Sequence, residues 1–429
     1  MKYYASPTGT GDGTFADPFK IANFWLLNGG SGPTPGDFLY LLPGRYTEVS
    51  GNNGIIAPPE NTAGTAENPI TIKAWKDGTV ELDGADTAMM AVIYLRYNDY
   101  FIIEGFNAHL TSSRYTTRYV VRVNYSNYNI FRKICAWDAD DANTPVFGHY
   151  ISSYILYEDC AGWGIGKKIF DMYYTNYITV RRGFFMFEGS HNVGVQMACM
   201  EAYETYNATT ENCICTWDAT RQMKEYEVFM NGVPLPLPIF YYNYETPNPY
   251  GIMAVDRNTA AGTSAYSKVL GTIVYLLSDQ KYNWDTEAAV ASLIENRRIS
   301  DFEYFNCISY SEVPQRALYL RVPFLGGGVN VSAHNMTSIS PTANIIGANW
   351  DTSNIYYSTD SDEMIAENGN LLGTIDGEGA TIQKRYIDRD LTFDHLWPWP
   401  MNKRILDAMA LAGRSPTINV NKVIMGLGK

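Results

Sequence analysis

Three aspartates and two lysines near the middle of the chain are the residue types that could perform acid–base chemistry. Asp138, Asp140 and Asp141 lie in the segment WDADD, and Lys167 and Lys168 follow one repeat later. Acid–base catalysis needs a positioned carboxylate or amine, so the catalytic candidates are Asp140, Asp141 and Lys167. Alternation could place the carboxylates of Asp138 and Asp140 on one face, as calcium ligands. The alternative is a polar loop that follows a strand. Beyond calcium, we expect no cofactor.

Aromatic residues point to a different function, which is saccharide binding without cleavage. Trp137, Trp163 and Trp217 follow the core positions of their repeats by three or four residues, where the chain should emerge toward a turn. Tyr250 lies in a stretch, 245–265, that we expect to be a contact surface. Sugar rings stack on exposed aromatic faces. The alternative is that these rings pack under neighbouring loops, as large aromatic side chains usually do.

The elements that must position these residues are copies of a hexad, apolar-x-apolar-x-x-apolar, that recurs every 23 to 34 residues. Asn, Asp, Thr or a charged residue usually precedes its third apolar position. Two inward residues spaced by two predict a short strand, and the next pair predicts a bend. Such units bury their apolar faces only by stacking, so the period predicts the turns of a parallel β-helix. The clear copies are Phe101-Ile103-Phe106, Ile155-Tyr157-Cys160, Ile178-Val180-Gly183, Ala208-Thr210-Cys213, Ile239-Tyr241-Tyr244, Phe302-Tyr304-Cys307 and Val331-Ala333-Met336, and looser copies end at Ile134 and Ile273.

Stacking of the repeats predicts a ladder of alternating charges. The first residue of the bend is Glu104, Arg132, Glu158, Arg181 and Glu211 in successive copies. Paired strands would space these charges by roughly 4.8 Å, and a slip of one repeat would bring like charges together. We interpret the ladder as register control. The alternative is a groove in which Arg132 and Arg181 bind an acidic polymer.

The composition fits one elongated β-rich unit. The 429 residues include 33 Tyr and 36 Gly, 46% are hydrophobic and only 18% are charged. A net charge of −13 disfavours nucleic acid and anionic membranes as partners. The sequence has no run of 18 or more apolar residues, so no membrane span is predicted. The first residues, Met1 to Pro7, are strand and turn material without a signal region, so we expect either that a signal was removed or that the protein leaves its cell another way, for example by lysis within a virus particle.

The cysteines are predicted to be buried thiols. Cys160, Cys213 and Cys307 fall on the third hexad position, Cys215 shares a face with Cys213, and Cys135 sits beside an inward position. A free cysteine behaves as a small buried hydrophobe, so we favour core thiols over disulfides or a metal site. The chain also has no C-x-x-C motif.

Several stretches depart from the repeat. Residues 218–237 and 245–265 are predicted to interrupt the coil on either side of the copy Ile239–Tyr244, and Thr286–Arg298 is predicted to be a short helix. The tail has Gly-rich turns followed by an amphipathic pattern over about 402–412. A solenoid needs its last unit covered, so this tail is predicted to be a cap.

The beginning of the chain carries a recognisable pattern. It consists of the segments Tyr3–Thr14, Pro35–Asp37, Leu42–Thr47, Asn68–Ala74 and Leu82–Gly84. Together they resemble the opening of right-handed parallel β-helix proteins of the pectate-lyase-like superfamily. Beyond residue 84 the resemblance is carried by the repeat alone. It speaks more strongly to fold than to activity.

The resemblance implies a coil whose loops form a carbohydrate-binding side. Members of that superfamily include lyases and hydrolases of acidic polysaccharides and also bacteriophage tailspikes, which are commonly homotrimers. Asp140-Asp141 followed by Gly148-His149 is similar to the polygalacturonase set, but Tyr150 replaces its second Gly. His149 also comes only 8 residues after Asp141, too soon for the next turn of the coil. A β-helix hydrolase would need paired carboxylates on neighbouring turns.

We therefore predict an all-β protein: a right-handed parallel β-helix solenoid over 36–365, an N-terminal cap over 1–35 and a C-terminal capping or oligomerisation segment over 366–429. The incomplete catalytic set favours a virion or surface structural protein, like a tailspike or fibre, that binds a saccharide. The alternative is a secreted polysaccharide lyase or glycoside hydrolase acting on an acidic polysaccharide. Expected partners are a polysaccharide or cell-surface glycan and further copies of the chain, in a homotrimer. We expect an extracellular or virion-surface location, without nucleic acid and without membrane insertion.

Overall fold

In the computed structural model the described residues are 1–84, 88–110, 118–139, 144–189 and 198–217, followed by shorter segments. These segments are 229–230, 233–234, 250–255, 267–276, 294–297, 301–311, 318–320, 330–341, 345–346, 350–358, 366–367, 370–371, 374–375 and 378–379. Within these ranges, helix is limited to Ile21–Phe24 and Leu27–Gly30, and the other regular elements are strands.

The strands of the coil form three rows. The first row contains Lys2–Ala5, Phe38–Leu41, Ile70–Ala74, Phe101–Glu104, Ile130–Arg132, Ser153–Glu158, Asn176–Arg181, Thr209–Glu211, Ser267–Leu270 and Phe302–Phe305. The second row contains Gly44–Tyr46, Val80–Asp83, Phe106–His109, Cys135–Trp137, Ala161–Ile165, Phe184–Gly189, Ile214–Trp217, Ile273–Leu276 and Ile308–Ser311. The third row contains Ala91–Arg96, Tyr119–Asn124, Phe147–Tyr150, Lys168–Tyr173, Ala198–Tyr203, Tyr250–Val255, Ile294–Arg297, Leu318–Leu320 and Ile345–Ile346.

Two long strands close the described part of the coil, and short hairpins lie outside it. Val331–Ile339 continues through both the first and second rows, and Asp351–Ser358 pairs along it. The antiparallel hairpins pair Phe229–Met230 with Val233–Pro234, Ala366–Glu367 with Asn370–Leu371, and Thr374–Ile375 with Glu378–Gly379.

Successive turns of the chain are joined by parallel strand pairing. In the first row Ile103 pairs with Phe131, and Phe131 pairs with Tyr157. Each turn is thus a crossover between parallel neighbours, a connection that is right-handed as a rule. The fold is the right-handed parallel β-helix that the repeat predicts.

The core is a continuous stack along the coil axis. The inward residues of the clear hexad copies within the described ranges are buried, and the rings of Phe131 and Tyr157 stack with centroids 4.5 Å apart. All six cysteines are free and buried, as predicted. Burial raises the pKa of Cys213 to about 12, so its thiol is an inert core group.

The bend inside the hexad explains its polar position. From the strand Phe101–Glu104 onward, the residue that follows the paired first-row residues at this bend has a positive φ in successive turns: Gly105, Lys133, Asp159, Arg182, Asn212, Gly271, Asn306 and Asn335. Only glycine adopts this conformation without cost, and asparagine and aspartate tolerate it best among the others. The frequent Asn and Asp at this position are therefore the sequence signal of the bend.

The predicted charge ladder is present. The register aligns Glu104 with Arg132, Arg132 with Glu158, Glu158 with Arg181, and Arg181 with Glu211. Arg132 Nε lies 2.9 Å from Glu158 Oε2, and Arg181 Nη2 lies 2.6 Å from Glu158 Oε1. Burial acts to raise the pKa of Glu158, but hydrogen bonds from Arg182 and Arg132 outweigh it and hold that pKa below its usual value.

Four sequence predictions are wrong. Tyr250–Val255, predicted to lie in an interruption of the coil, is a third-row strand paired with Ala198–Tyr203. Glu211 pairs with Leu270, so the looser copy that ends at Ile273 is placed one residue too late in the sequence prediction. Thr209–Glu211 pairs directly with Ser267–Leu270, so the copy Ile239–Tyr244 does not form a turn of the coil between them, although its own residues lie outside the described ranges. Ile294–Arg297, predicted as the end of a helix, is a third-row strand paired with Tyr250–Val255. In each case local patterning was overridden by the pairing of distant strands.

The first strand of the coil is engaged on both sides. Lys2–Ala5 pairs with Phe38–Leu41 on one side. On the other, Tyr4 N–H donates to Gly13 O at 2.8 Å, Ser6 N–H donates to Phe19 O at 3.0 Å, and Phe19 N–H returns a bond to Tyr4 O at 3.1 Å. The boundaries predicted at 35 and 365 stay predictions, and most of the tail from 366 lies outside the described residues.

The interior of the coil also contains a histidine. His149 is buried in the third row, where Nδ1 donates to the carbonyl oxygen of Asp171 at 2.7 Å and Nε2 accepts from the Tyr157 hydroxyl at 2.8 Å. Burial lowers the pKa of His149 to about 4. This residue is therefore a neutral core group and is not available to an outer-face hydrolase site.

None of the helices among the described residues has the length and apolar character needed to cross a membrane.

Candidate functional site

One column of side chains on the outer face of the second row contains two of the predicted aromatic residues. The register pairs Asp83 with His109, His109 with Trp137, and Trp137 with Trp163. The ring centroids of His109 and Trp137 are 4.6 Å apart, and those of Trp137 and Trp163 are 5.0 Å apart. Each of the four residues follows a buried inward residue by three positions, and this odd offset turns its side chain outward. The inward residues are Val80, Phe106, Ile134 and Cys160.

His109 lies between two carboxylates. Its Nε2 is 2.8 Å from Glu81 Oε1, and its Nδ1 is 3.6 Å from Asp83 Oδ1. Arg45, one turn earlier, donates through Nε to Asp83 Oδ2 at 2.7 Å. The Asp83 side chain is buried, whereas that of Glu81 is 43% exposed. Glu81 is therefore the group of this cluster that a ligand reaches first.

The same cluster has a donor set that can be tested as a metal site. Glu81, Asp83 and His109 each bring one donor atom within 4.8 Å of the others. Calcium takes six to eight oxygen ligands, and imidazole suits transition metals instead. Both carboxylates already have partners, since Arg45 binds Asp83 and His109 binds Glu81. The residues fit an ion-paired hydrogen-bond network better than a metal site.

The two tryptophans differ in accessibility. Trp163 is 1% exposed, and its Nε1 is buried without a hydrogen-bond partner. Trp137 is half-buried, and its two faces contact the rings of His109 and Trp163. A sugar at this column would therefore meet the edge of Trp137 together with the Glu81 carboxylate.

Asp138, the predicted calcium ligand, is held tightly at the end of this strand. It has a φ of 58° and is buried, and its N–H donates to the carbonyl oxygen of Trp163 at 3.3 Å. A Cβ added to Gly164, which has a φ of 95°, would overlap the Asp138 carboxylate. Glycine at 164 thus makes room for the carboxylate. Asp140 and Asp141 lie outside the described residues, so the calcium site and the catalytic aspartates stay predictions.

The two lysines have different surroundings. Lys167 is half-buried, and its backbone N–H donates to the carbonyl oxygen of Thr144 at 2.9 Å. Lys168 is buried, with Nζ 3.1 Å from Asp171 Oδ1 and in an ion pair with Glu201. Burial lowers the pKa of the Lys168 amine, against the opposing charge of Asp171. A lysine whose pKa is lowered by burial is a candidate for a general base, and Lys168 has this property. The catalytic role predicted for Lys167 stays a prediction.

The other two predicted aromatic residues lie elsewhere. Trp217 pairs with Phe187, and the position next to Trp163 in the column is taken by Met186. Tyr250 begins a strand of the third row and pairs with Ala198. The structure therefore brings Trp137 and Trp163 together but adds neither Trp217 nor Tyr250 to their column.

The residues that the sequence did not single out are Arg45, Glu81, Asp83 and His109. A signal for the last two was present, because Asp83 and His109 have the same offset of three from an inward residue as Trp137 and Trp163. Trp217 follows Cys213 by four positions, which places it in a different column.

Comparison with known proteins gives distant structural likenesses. The sequence matches no protein-family profile, and no curated protein is similar to it. A solved structure of pectate lyase Pel9A is similar over 87% of this chain and 84% of its own, with 13% identity and a TM-score of 0.49. An alginate lyase from Paenibacillus sp. str. FPU-7 is similar over 83% of this chain and 98% of its own, with 14% identity and a TM-score of 0.43. ORF18 of Geobacillus virus E2 is similar over 77% of this chain and 54% of its own, with 14% identity and a TM-score of 0.31.

Proposed function

We propose that this protein is a structural β-helix of a virion or cell surface, like a tailspike or fibre, that binds a saccharide along its outer face. The observation that carries the proposal is the ladder of alternating charges in the first row. Its cations are used in ion pairs within the chain, as between Lys73 Nζ and Glu104 Oε1 at 2.7 Å and between Arg132 and Glu158 at 2.9 Å. Such a ladder fixes the register of a stiff rod and leaves few of its charges for an acidic polymer.

Saccharide binding is supported by the column on the second row. The edge of Trp137 and the exposed carboxylate of Glu81 offer an apolar surface beside a hydrogen-bond acceptor for sugar hydroxyl groups. His109 joins them through its ring stack and its contact with Glu81. The proposed partner is a polysaccharide or cell-surface glycan, and the proposed assembly is a homotrimer at an extracellular or virion-surface location.

The test is a binding and turnover assay on one panel of alginate, pectate, glycosaminoglycans and host surface polysaccharide, with and without calcium. We expect saturable binding without product and a defined oligomer in sedimentation. Trp137→Ala should weaken binding, whereas Trp75→Ala, which removes a 48% exposed tryptophan away from the column, should not. Glu81→Gln is a second, less disruptive variant. Equal binding by Trp137→Ala, Glu81→Gln and the unchanged protein would refute the site.

An enzymatic function, as a secreted lyase or hydrolase of an acidic polysaccharide, is favoured by one observation. Lys168 Nζ lies 3.1 Å from Asp171 Oδ1 and is in an ion pair with Glu201, and burial lowers the pKa of this amine, so one amine and two carboxylates stand together as the groups of acid–base chemistry. Unsaturated uronates or new reducing ends in the panel would establish it. Their loss in Lys168→Met, Lys167→Ala or Asp140→Ala would then identify the base or its partner.

A further inference from the structure

On the outer face of the third row, one guanidinium forms no ion pair with any carboxylate of the described residues. The register aligns Tyr94, Arg122, Gly148, Asp171 and Glu201 in one outward column. This face is separate from the column of Trp137 on the second row.

Arg122 is half-buried and stacks on a neighbouring ring. Its guanidinium carbon lies 3.7 Å from the centroid of Tyr119, and its Nε is buried without a hydrogen-bond partner. Asp171 is the carboxylate that acts on it electrostatically, but Asp171 is already paired with Lys168 at 3.1 Å. Burial lowers the pKa of Arg122, because no carboxylate compensates the loss of water fully.

Other partly buried cations of the described residues show how unusual this is. Arg132 pairs with Glu158, Lys133 Nζ lies 2.9 Å from Asp77 Oδ2, and Arg182 Nε lies 2.6 Å from Asp159 Oδ1. Burying a cation without a partner costs several kcal/mol in general. An anion that binds from outside would supply the missing partner.

Tyrosines surround this guanidinium. Tyr94, Tyr125 and Tyr150 all act on its charge, and the rings of Tyr125 and Tyr150 meet edge to face at 5.5 Å. Tyr125 also stacks on Tyr97 at 5.0 Å. Together these rings form an aromatic wall beside the guanidinium.

Two of these tyrosines occupy strained backbone positions. Tyr97 and Tyr125 have φ values of 55° and 51°, which is costly for a bulky residue. A later turn has Glu204 with a φ of 49° at the equivalent position, so the bend itself does not require an aromatic residue. The side chain is therefore the variable part of this bend, and in two neighbouring turns it is a tyrosine, with the rings of Tyr97 and Tyr125 stacked on each other and Tyr125 beside Arg122.

We propose that Arg122 and the tyrosines beside it form a second binding site, for an oxyanion carried on a saccharide. A guanidinium binds a carboxylate or sulfate through two parallel hydrogen bonds, and aromatic rings pack against the apolar face of a sugar ring. The net charge of −13 disfavours dense polyanions. A saccharide with separated charges matches a single guanidinium better.

The experiment measures affinity by titration calorimetry. The probes are a trisaccharide with one galacturonic acid residue between two neutral sugars, the same trisaccharide with its carboxyl group reduced to an alcohol, sodium acetate and sodium sulfate. We expect the acidic trisaccharide to bind at least tenfold more tightly than its reduced form. Arg122→Gln should weaken it by about 10- to 100-fold, as expected for losing a charged hydrogen-bond pair.

Variants separate charge from geometry and from folding. Arg122→Lys keeps the charge but not the fork, so it should bind with intermediate affinity and shows that a loss in Arg122→Gln is not misfolding. Arg96→Gln is the matched control, because Arg96 is exposed and is already paired with Glu60 at 2.9 Å. It should bind like the unchanged protein.

The remaining outcomes decide the proposal. No binding of any probe, equal binding of the two trisaccharides, or an unchanged affinity in Arg122→Gln overturns it. Binding of acetate or sulfate as tight as that of the acidic trisaccharide overturns the saccharide part and leaves a simple anion site. Loss of glycan binding in Trp137→Ala with no effect of Arg122→Gln would refute this site while the proposed function stands.

Discussion

His149 should make the coil less stable in mild acid. Its neutral ring donates to Asp171 and accepts from Tyr157 inside the core, and burial lowers its pKa from 6.5 to about 4. The unfolded chain takes up the proton at the ordinary pKa. The sign follows from this order: the contribution of His149 to stability is complete above about pH 6.5 and is lost as the pH falls toward about 4.

The size of the effect follows from the separation of the two pKa values. A difference of about 2.5 pH units corresponds to about 3 kcal/mol, and about 2 kcal/mol of this is already lost at pH 5. Glu158, whose pKa is lowered in the fold, loses its contribution only as the pH falls below about 4.5. Glu158 therefore does not contribute to the change in stability between about pH 6.5 and 5, and the difference between the unchanged protein and a His149 variant over this interval measures the contribution of the histidine.

The assay follows exchange of the histidine ring C2 proton by mass spectrometry, residue by residue, together with thermal melts at pH 7 and pH 5. We expect His149 to titrate near 4 and the melting temperature to fall between these pH values. The double variant His149→Phe with Tyr157→Phe leaves no unpaired hydroxyl and should lose most of this pH dependence. His334→Gln, at a partly exposed histidine, should keep it. A His149 pKa near 6.5 would refute the reasoning.

Three further predictions concern the register, a glycine and the thiols. Arg132→Glu should lower the free energy of unfolding by about 1–3 kcal/mol, because position 132 faces Glu104 and Glu158. Lys268→Glu, at an exposed ion pair, should lower it by at most about 1 kcal/mol. Equal losses in denaturant melts would contradict the role of the ladder. Gly164→Ala should destabilise the protein by more than about 1 kcal/mol and by more than Gly29→Ala does, because Gly29 has a positive φ of 72° but open space around it. Similar melting temperatures of the two variants would argue against the close approach of Asp138 to Gly164. The native protein should not react with a thiol reagent at pH 8 until it is unfolded, and fast labelling of any cysteine would contradict the buried-thiol core.

The first two rows of the coil could be predicted because the residues that define them lie close together in the sequence. The inward pair, the bend and the next inward residue lie within six positions, and the bend's positive φ restricts residues such as Asn212 and Asn306. The hexad pattern does not include the strands of the third row. Its strands are separated from the others by connections of varying length, so Ile294–Arg297 was identified only by its pairing with Tyr250–Val255.

The candidate site was predicted only in part. Trp137 and Trp163 were found because large aromatic residues attract attention, but His109 and Glu81 belong to the same surface through strand register. Their separation of 28 residues is one turn of the coil, which no local motif reports. Arg122 could not be found from sequence at all, because its distinguishing property is the lack of a counter-ion in three dimensions.

The closure of the first strand has a consequence for how such rods meet. A bare terminal strand would be a template on which another molecule could add a strand, and rods would join into fibres of indefinite length. Here Tyr4 and Ser6 already donate their backbone N–H groups to Gly13 and Phe19. These backbone groups of the first strand are therefore not available for strand addition. A second molecule that meets this edge would have to contact it through side chains, so the edge of Lys2–Ala5 does not template the addition of strands.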